Sequence, residues 1–266
     1  MTIHIDEKSV FLTGAGVSVP SGLAAFRTGE DPHWKSSDTA FGYIDYFGAH
    51  PVKTWAWYLA RFGQIEETLP NAAHKMIHKI QQKTGVHLIT QNIDGLHRKL
   101  RTQAYEVHGS FDYVRCMRRT CSFGGPRGLL RRKDPEISER FETFLADPSQ
   151  KTLPKCPACR KRLRPHVLMF DESYSSHIAY EYKQATRATY EASCLVTIGT
   201  TLQVGIAQTA IDDAILNGVE IHVVDPAPSF LATSRWACLR EYPMLHVHQQ
   251  TAIEFLGEVS RELNKQ

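Results

Sequence analysis

The chain has 266 residues, a formal net charge of +3 and 42% hydrophobic residues, which is an ordinary composition for a globular protein. No apolar run is long enough to span a bilayer, and the first residues lack the basic and apolar regions of a secretory signal. We therefore expect a cytoplasmic protein without membrane contact, although the sequence leaves a nuclear or mitochondrial location open.

Strands and helices alternate along the predicted structure. The predicted strands are residues 9–13, 86–90, 167–170, 195–198 and 221–224, and the predicted helices are residues 74–83, 207–217 and 251–264. The last helix carries apolar residues near helical spacing, and the second is expected to end at Gly218. Alternating βα units predict an α/β protein with a doubly wound parallel sheet.

The first predicted strand runs into a glycine turn, Gly14-Ala15-Gly16, which is followed by Ser18 and Gly22. Glycines at this point let the backbone approach a phosphate, and N–H groups at a helix start bind anions. The full three-glycine spacing of dinucleotide-binding proteins is absent, so a tight strand–helix turn is the alternative.

A polar segment, Thr90-Gln91-Asn92-Ile93-Asp94, follows the second predicted strand. Ligands of open α/β sheets bind at strand ends, which favours a binding role for these side chains. His108 follows within a short distance and is suited to base chemistry near neutral pH. Either segment alone could be structural.

Four cysteines form two closely spaced pairs: Cys116 with Cys121, and Cys156 with Cys159. Two such pairs predict a closed tetrahedral zinc site with a structural role. Free thiols or a disulfide are the alternatives. Cys194 lies in an apolar strand and is expected to be a small buried residue.

Together these motifs resemble the sirtuin family of NAD-dependent protein-lysine deacylases along nearly the whole chain. Further matches are Phe26-Arg27, His108-Gly109, Arg164-Pro165-His166-Val167, Phe170-x-Glu172 and the run from Gly199 to Val204. The chain departs from the family pattern at Ala24-Ala25, at Asp171 and at Asp225, where the family usually has Pro-Asp, Gly and Asn. These departures affect fine cofactor contacts and the peptide register.

The resemblance implies a Rossmann-like domain, approximately residues 1–27, 72–112 and 165–266. A small domain would be inserted into it, with a helical module at residues 28–71 and a zinc module at residues 113–164. The small domain would be held by one structural zinc ion at Cys116, Cys121, Cys156 and Cys159. We expect the zinc module to have a poor core of its own and to depend on the metal for much of its folding free energy.

The resemblance also implies a reaction, in which an acyl group moves from a protein lysine to NAD, giving nicotinamide and O-acyl-ADP-ribose. His108 would be the base, and Asn92 and Asp94 would order the nicotinamide pocket. The implied NAD-binding residues are Gly14, Ala15, Gly16, Ser18, Phe26, Arg27, Gln91, Asn92, Asp94, Gly199, Thr200, Thr201, Val204 and Asp225. The implied substrate-binding residues are Tyr58, Arg61, Val167, Phe170 and Glu172.

Tyr58 and Arg61 form a Tyr-x-x-Arg pair on one face of a predicted helix. The pair resembles that of sirtuins that remove succinyl, malonyl or glutaryl groups, because the Arg fork binds a carboxylate and Tyr adds a donor. An aromatic core helix with a surface Arg is the alternative, and it leaves a general deacetylase.

Two other functions stay open from the sequence. An ADP-ribosyltransferase or NADase would keep NAD and change the acceptor, and Ala24-Ala25 could loosen the loop that excludes water. A non-catalytic NAD-binding protein is disfavoured by the complete set of Gln91, Asn92, Asp94 and His108.

Between residues 113 and 166 there are 14 Lys and Arg against 5 Asp and Glu, so an acidic partner could bind there. No base-reading motif accompanies this charge, and we expect no sequence-specific nucleic acid.

Overall fold

The computed structural model describes residues 3–23, 36–228, 230 and 236–265, without the side chains of residues 36, 37 and 64. Its strands are β1 (Val10–Thr13), β2 (His87–Thr90), β3 (Tyr105–Glu106), β4 (Gly109–Cys116), β5 (Leu130–Arg131), β6 (Leu163–Val167), β7 (Cys194–Ile198), β8 (Glu220–Val224) and β9 (Leu245–His248). Its α-helices are α1 (Ile44–Ala49), α2 (Pro51–Phe62), α3 (Ala72–Thr84), α4 (Leu96–Lys99), α5 (Pro135–Ala146), α6 (Tyr182–Tyr190), α7 (Gly205–Leu216), α8 (Ala237–Arg240) and α9 (Ala252–Leu263). No helix of this described part has the length and apolarity needed to cross a membrane.

The large sheet has six strands in the order β3-β2-β1-β7-β8-β9, and every pairing is parallel. One face packs on α6 and α7 and the other on α3 and α9, so helices cover both faces. This confirms the doubly wound α/β fold. The strand order reverses between β1 and β7, and in sheets of this kind ligands bind near such a reversal, at the carboxyl ends of the strands.

Local sequence explains where the helices of the large domain begin and end. The Asn71 side chain accepts hydrogen bonds from the backbone N–H groups of Ala73 and His74 and so caps α3. Thr251 and Glu254 form a capping box at the start of α9. Gly218 has a φ of 66°, a left-handed conformation that suits glycine directly after α7.

A second sheet of three antiparallel strands, in the order β5-β4-β6, belongs to the small domain. The predicted strand at residues 167–170 is therefore wrong. The chain is extended earlier, at Leu163–Val167, because β6 pairs with β4 and not with the large sheet. β4 begins at Gly109, so the small sheet starts before the domain boundary that we predicted at residue 112.

The helical module and the zinc module share one hydrophobic core. Trp55 of α2 packs edge-to-face on Phe141 of α5, with ring centroids 4.8 Å apart, and its Nε1 donates a hydrogen bond to the backbone oxygen of Leu163. Cys116 and Cys156 belong to the same buried cluster. Within the described residues, the zinc module therefore has no separate core, and α2 of the helical module supplies much of the core on which it packs, in keeping with the expectation that its own core is poor.

Candidate active site

A cavity of about 840 Å³ opens at the carboxyl ends of the central strands, where the sheet order reverses. The predicted site residues that line it are Gly14, Ala15, Gly16, Ser18, Tyr58, Gln91, Asn92, Asp94, His108, Val167, Phe170, Glu172, Gly199, Thr200, Thr201, Val204 and Asp225. Arg61 is not among the lining residues. Phe26 and Arg27 lie outside the described residues.

The glycine turn after β1 packs directly on the loop after β7. A Cβ atom on Gly16 would lie 2.7 Å from the Cα of Gly199. A Cβ atom on Gly14 would lie 2.6 Å from the carbonyl oxygen of Gly199. The Gly16 N–H donates to the Gly199 oxygen at 2.9 Å, so this N–H serves the loop contact. The two loops therefore form one continuous wall, and glycine is required because any side chain would separate them.

Asn92, Ser18 and Asp94 form a connected hydrogen-bond network on this wall. The Asn92 amide donates to the Gly14 oxygen at 3.0 Å and contacts the Ser18 hydroxyl at 3.2 Å. Ser18 donates to Asp94 at 2.7 Å, and the other Asp94 oxygen accepts the Leu96 N–H. Burial raises the pKa of Asp94 despite these donors. The three residues are held rigidly at the cavity surface, as a pocket for a planar amide requires.

Gln91 and Thr200 connect the strand ends of β2 and β7. Gln91 Nε2 lies 3.1 Å from Thr200 Oγ1 and 3.4 Å from the Thr13 backbone oxygen. α7 begins at Gly205, directly after the loop that contains Thr200, Thr201 and Val204. The start of a helix that borders a cavity is suited to a phosphate group.

His108 lines the cavity beside Gln91, directly before β4. Its Nδ1 is 2.9 Å from the backbone oxygen of Gln91, which can only accept a hydrogen bond, so Nδ1 carries the proton. The lone pair of the neutral ring is therefore on Nε2, which lies 3.1 Å from the Tyr174 hydroxyl. Burial raises the pKa of Tyr174 to about 12, so this phenol stays protonated and donates to Nε2.

Tyr174 lines the cavity and was missed by the sequence analysis. It lies in a short 3-10 turn, Tyr174–Ser176, just beyond the Phe170-x-Glu172 motif. No spacing or residue pattern marks this position, and only the folded chain brings it to His108. Its ring also stacks on Tyr182, with centroids 4.4 Å apart.

Glu172 lines the cavity, but its carboxylate is engaged by two buried arginines. Arg164 binds both of its oxygens at 2.7 Å, and Arg115 binds one of them at 2.7 Å. Burial opposes ionisation, yet the hydrogen bonds and charges of these arginines lower the pKa of Glu172. Glu172 therefore fixes the segment after β6, and Phe170, which is 44% exposed, presents an apolar ring at the cavity edge.

Asp171, one of the departures from the family pattern, caps a helix of the small domain. Its carboxylate accepts the Ile44 N–H at 2.9 Å, at the first residue of α1. The Phe170 N–H donates to the Gly42 oxygen beside this cap. The two contacts tie the cavity edge to the helical module.

Tyr58 and Arg61 occupy different surroundings. Tyr58 is 2% exposed, lines the cavity, and its hydroxyl lies 3.5 Å from the sulphur of Met169. Arg61 pairs with Asp38 at 2.7 Å, and its guanidinium lies 4.5 Å from the centre of the Trp57 ring. The helix thus directs Tyr58 into the cavity and Arg61 to its neighbour Asp38.

The four cysteines of the two predicted pairs come together. Their sulphur atoms all lie within 4.8 Å of one another, with Sγ–Sγ distances of 3.4 Å for Cys116–Cys159 and 3.7 Å for Cys121–Cys156. These separations are much longer than a disulfide bond of about 2.05 Å and match the edges of a zinc–thiolate tetrahedron, about 3.8 Å. The donor set fits one structural zinc ion with no open position.

Comparisons with known proteins agree with this geometry. The model of the Sir2 family matches residues 14–205. An NAD-dependent protein deacylase of Thermus thermophilus is 32% identical over 240 residues, which cover 86% of this chain and 83% of the relative. The NAD-dependent protein deacylase Sir2 of Mycolicibacterium smegmatis is 32% identical over 232 residues, covering 86% and 89%.

A third relative, the NAD-dependent deacetylase sir2E of Dictyostelium discoideum, is 32% identical over 211 residues; the match covers 77% of this chain and 62% of the longer relative. Among solved structures, a mutant Sir2 homologue in complex with ADP-ribose is 26% identical, with a TM-score of 0.75 and coverage of 96% and 91%. A Sir2 complex with a p53 peptide and NAD+ is 23% identical with a TM-score of 0.73, covers 97% and 94%, and shows the same fold.

Proposed function

This chain belongs to the Sir2 family, and we propose that it is an NAD-dependent protein-lysine deacylase that releases nicotinamide and O-acyl-ADP-ribose. The sirtuin resemblance of the sequence is thereby confirmed. The observation that carries the proposal is the position of His108, which offers an unprotonated Nε2 to the same cavity as Asn92 and Asp94.

The residues of the cavity have different roles in the proposed reaction. Bound NAD would supply the ribose that accepts the acyl group of the substrate lysine, with nicotinamide as the leaving group. Asn92 and Asp94 border the proposed nicotinamide pocket, and the wall that Gly14, Gly16 and Gly199 form by packing on one another would face the cofactor. His108 accepts a proton from a ribose hydroxyl at Nε2, while its Nδ1–H stays bonded to Gln91.

Asp225 follows β8 at the far end of the cavity. One of its carboxylate oxygens accepts the Ala227 N–H at 2.8 Å, which fixes the side chain and leaves its other oxygen for a ligand. We infer that this oxygen accepts a ribose hydroxyl of NAD. A carboxylate there would also repel the 2′-phosphate of NADP.

The second candidate function keeps the cofactor and changes the acceptor, as in an ADP-ribosyltransferase or NADase. The Ala24-Ala25 departure motivates it, and these residues lie outside the described part of the chain. Incubation with NAD and acetyl-, succinyl- and long-chain acyl-lysine peptides, followed by mass analysis of all products, separates the functions. A deacylase gives O-acyl-ADP-ribose in equal amount to nicotinamide; free ADP-ribose or ADP-ribosylated protein alone would contradict the proposal.

For the acyl group, we propose a preference for succinyl, malonyl or glutaryl over acetyl. The support is chemical: Tyr58 lines the cavity, and Arg61, one turn further along α2, already binds a carboxylate, that of Asp38. The Arg61 side chain is 27% exposed, and the Asp38 side chain 12%. The substrate carboxylate would replace Asp38 on the guanidinium, which exchanges one charged partner for another.

The zinc module also has a basic surface, which we propose as a contact for acidic segments of protein substrates. Its charge is smaller than the sequence indicates, because Arg115 and Arg164 are bound to Glu172 and Arg132 is bound to Glu66. The exposed basic residues of the module are Arg118, Arg119, Arg127, Arg131, Lys133, Lys151, Arg160, Lys161 and Arg162. Substrate peptides with an acidic extension should have a lower KM, and added salt should remove the difference.

A further inference from the structure

A second cluster of metal-binding side chains lies at the amino-terminal end of the large sheet, far along the strands from the catalytic cavity. Cys194 begins β7, Glu220 begins β8, and His222 follows two residues later. Strand pairing places Cys194 beside Glu220 and His222 beside His246 of β9. Residues two apart share a face of a strand, so these side chains all lie on the face that α9 covers.

The ligand atoms of Cys194, Glu220 and His222 lie within 4.8 Å of one another. Glu220 Oε1 is 3.6 Å from Nε2 of His222, too long for a good hydrogen bond. The ligands of a tetrahedral zinc ion are about 3.3–3.8 Å apart, so the Glu220–His222 separation already fits. No separation within the cluster exceeds 4.8 Å, so small side-chain movements would complete the site.

His222 supplies an independent observation. Its side chain is 1% exposed, and its Nε2 has no hydrogen-bond partner among the described residues. Its other nitrogen, Nδ1, lies 2.9 Å from Nε2 of His248. A buried polar atom without a partner is costly, and this one is directed towards the Glu220 carboxylate.

The neighbouring histidines hold the cluster as the outer partners of metal ligands do. His246 Nε2 lies 2.8 Å from Glu220 Oε1. His248 orients the His222 ring through the contact of its own Nε2 with Nδ1 of His222. The Glu220 and His246 side chains are 31% and 24% exposed, which opens the cluster to solvent on one side. A metal ion can enter there and keep a water ligand.

We propose that Cys194, Glu220 and His222 form a second metal site, with three protein ligands and one water, that binds Zn²⁺. Thiolate, imidazole and carboxylate together favour zinc over magnesium. Coordination releases the Cys194 thiol proton to solvent. The site is distinct from the four-cysteine centre and from the catalytic cavity, and its ligands bridge two adjacent strands of the large sheet.

The test is the zinc content of the full-length protein after equilibration with zinc chloride and desalting. We expect two zinc ions per chain in the unmodified protein and one in Glu220→Gln and Cys194→Ser. The matched control Glu67→Gln, at an exposed position remote in sequence from the cluster, should retain two. Magnesium chloride should not displace the second ion.

Cobalt titration of the protein after a mild chelator has emptied the second site, with zinc still in the four-cysteine centre, gives a second readout. A thiolate-to-cobalt absorption band should form and should be lost in Cys194→Ser, while circular dichroism confirms that each variant is folded. If Cys194→Ser does not fold, the zinc content of Glu220→Gln decides. A single zinc ion in the unmodified protein, or a second one that persists in folded Glu220→Gln, would overturn the proposal.

Discussion

The hydroxyl of Tyr174 lies 3.1 Å from Nε2 of His108, the nitrogen that we propose as the base of the reaction. The Gln91 backbone oxygen binds Nδ1, and Tyr174 contacts the proposed reacting side of the ring. A donor at this position favours the neutral imidazole and competes with the ribose hydroxyl for the same lone pair. Tyr174 is thus a positioning residue for the base.

Tyr174→Phe should shift the acidic limb of the kcat/KM profile to higher pH, because the neutral His108 ring loses a hydrogen-bond donor. A neutral hydrogen bond of about 0.5–1.5 kcal/mol corresponds to a shift of about half to one pH unit. Tyr182→Phe, which leaves the Tyr174 hydroxyl in place, is the control. An unchanged limb in Tyr174→Phe would show that the contact is absent in the reacting enzyme.

Asp171→Ala should lower the free energy of unfolding by about 0.5–2 kcal/mol, because α1 loses the carboxylate that accepts the Ile44 N–H. Asp134 offers a matched control, since it occupies the N-cap position of α5 without a capping hydrogen bond from its side chain. Urea unfolding of both variants measures the difference. Equal losses would assign Asp171 no capping role.

Removal of zinc should loosen both modules of the small domain, because Cys116 and Cys156 share a core with Trp55. Cys116→Ser, or treatment with a strong chelator, should lower the melting temperature and change the tryptophan fluorescence. Cys238→Ser, at an exposed cysteine outside the cluster, is the control. A metal-free protein with unchanged melting and fluorescence would contradict the structural role of the ion.

Arg61→Met should reduce succinyl-lysine turnover by about tenfold to a hundredfold more than acetyl-lysine turnover, because hydrogen bonds to charged groups contribute about 1.5–3 kcal/mol. Asp38→Asn should act in the opposite direction on succinyl-lysine, since it removes the carboxylate that now pairs with Arg61. Steady-state kinetics with matched peptides measure both effects. If Arg61→Met slows both substrates equally, the Arg61–Asp38 pair is structural.

Sequence patterns predicted much of the large domain. Four of the six strands in its sheet, β1, β2, β7 and β8, were predicted from their apolar residues. The other two were not predicted, because β3 has only two residues and β9 alternates histidine with apolar residues. The predicted strand at 167–170 was displaced because β6 contains Pro165 and belongs to an antiparallel pair in the small domain. Pairing partners, which decide such cases, are distant in sequence.

The candidate site also contains residues that the sequence predicted and residues that it did not. Glycine turns, the Gln91–Asp94 segment and the paired cysteines carry their chemistry in local spacing, and the fold brings these residues to the cavity or to one cluster. Tyr174 has no local pattern, and the pairing of Arg61 with Asp38 depends on how the chain folds back between them. Buried networks of this kind depend on tertiary contacts that periodicity does not encode.

The most direct test of the account is single-turnover formation of O-acyl-ADP-ribose from NAD and an acyl-lysine peptide by the unmodified protein and by His108→Ala. NAD binding, measured separately by calorimetry, should be similar in both, because His108 is placed to accept a proton and not to hold the cofactor. We predict stoichiometric product with the unmodified protein and a loss of at least about a hundredfold in rate with His108→Ala. A variant that binds NAD and forms the product at close to the unmodified rate would contradict the proposed function of this site.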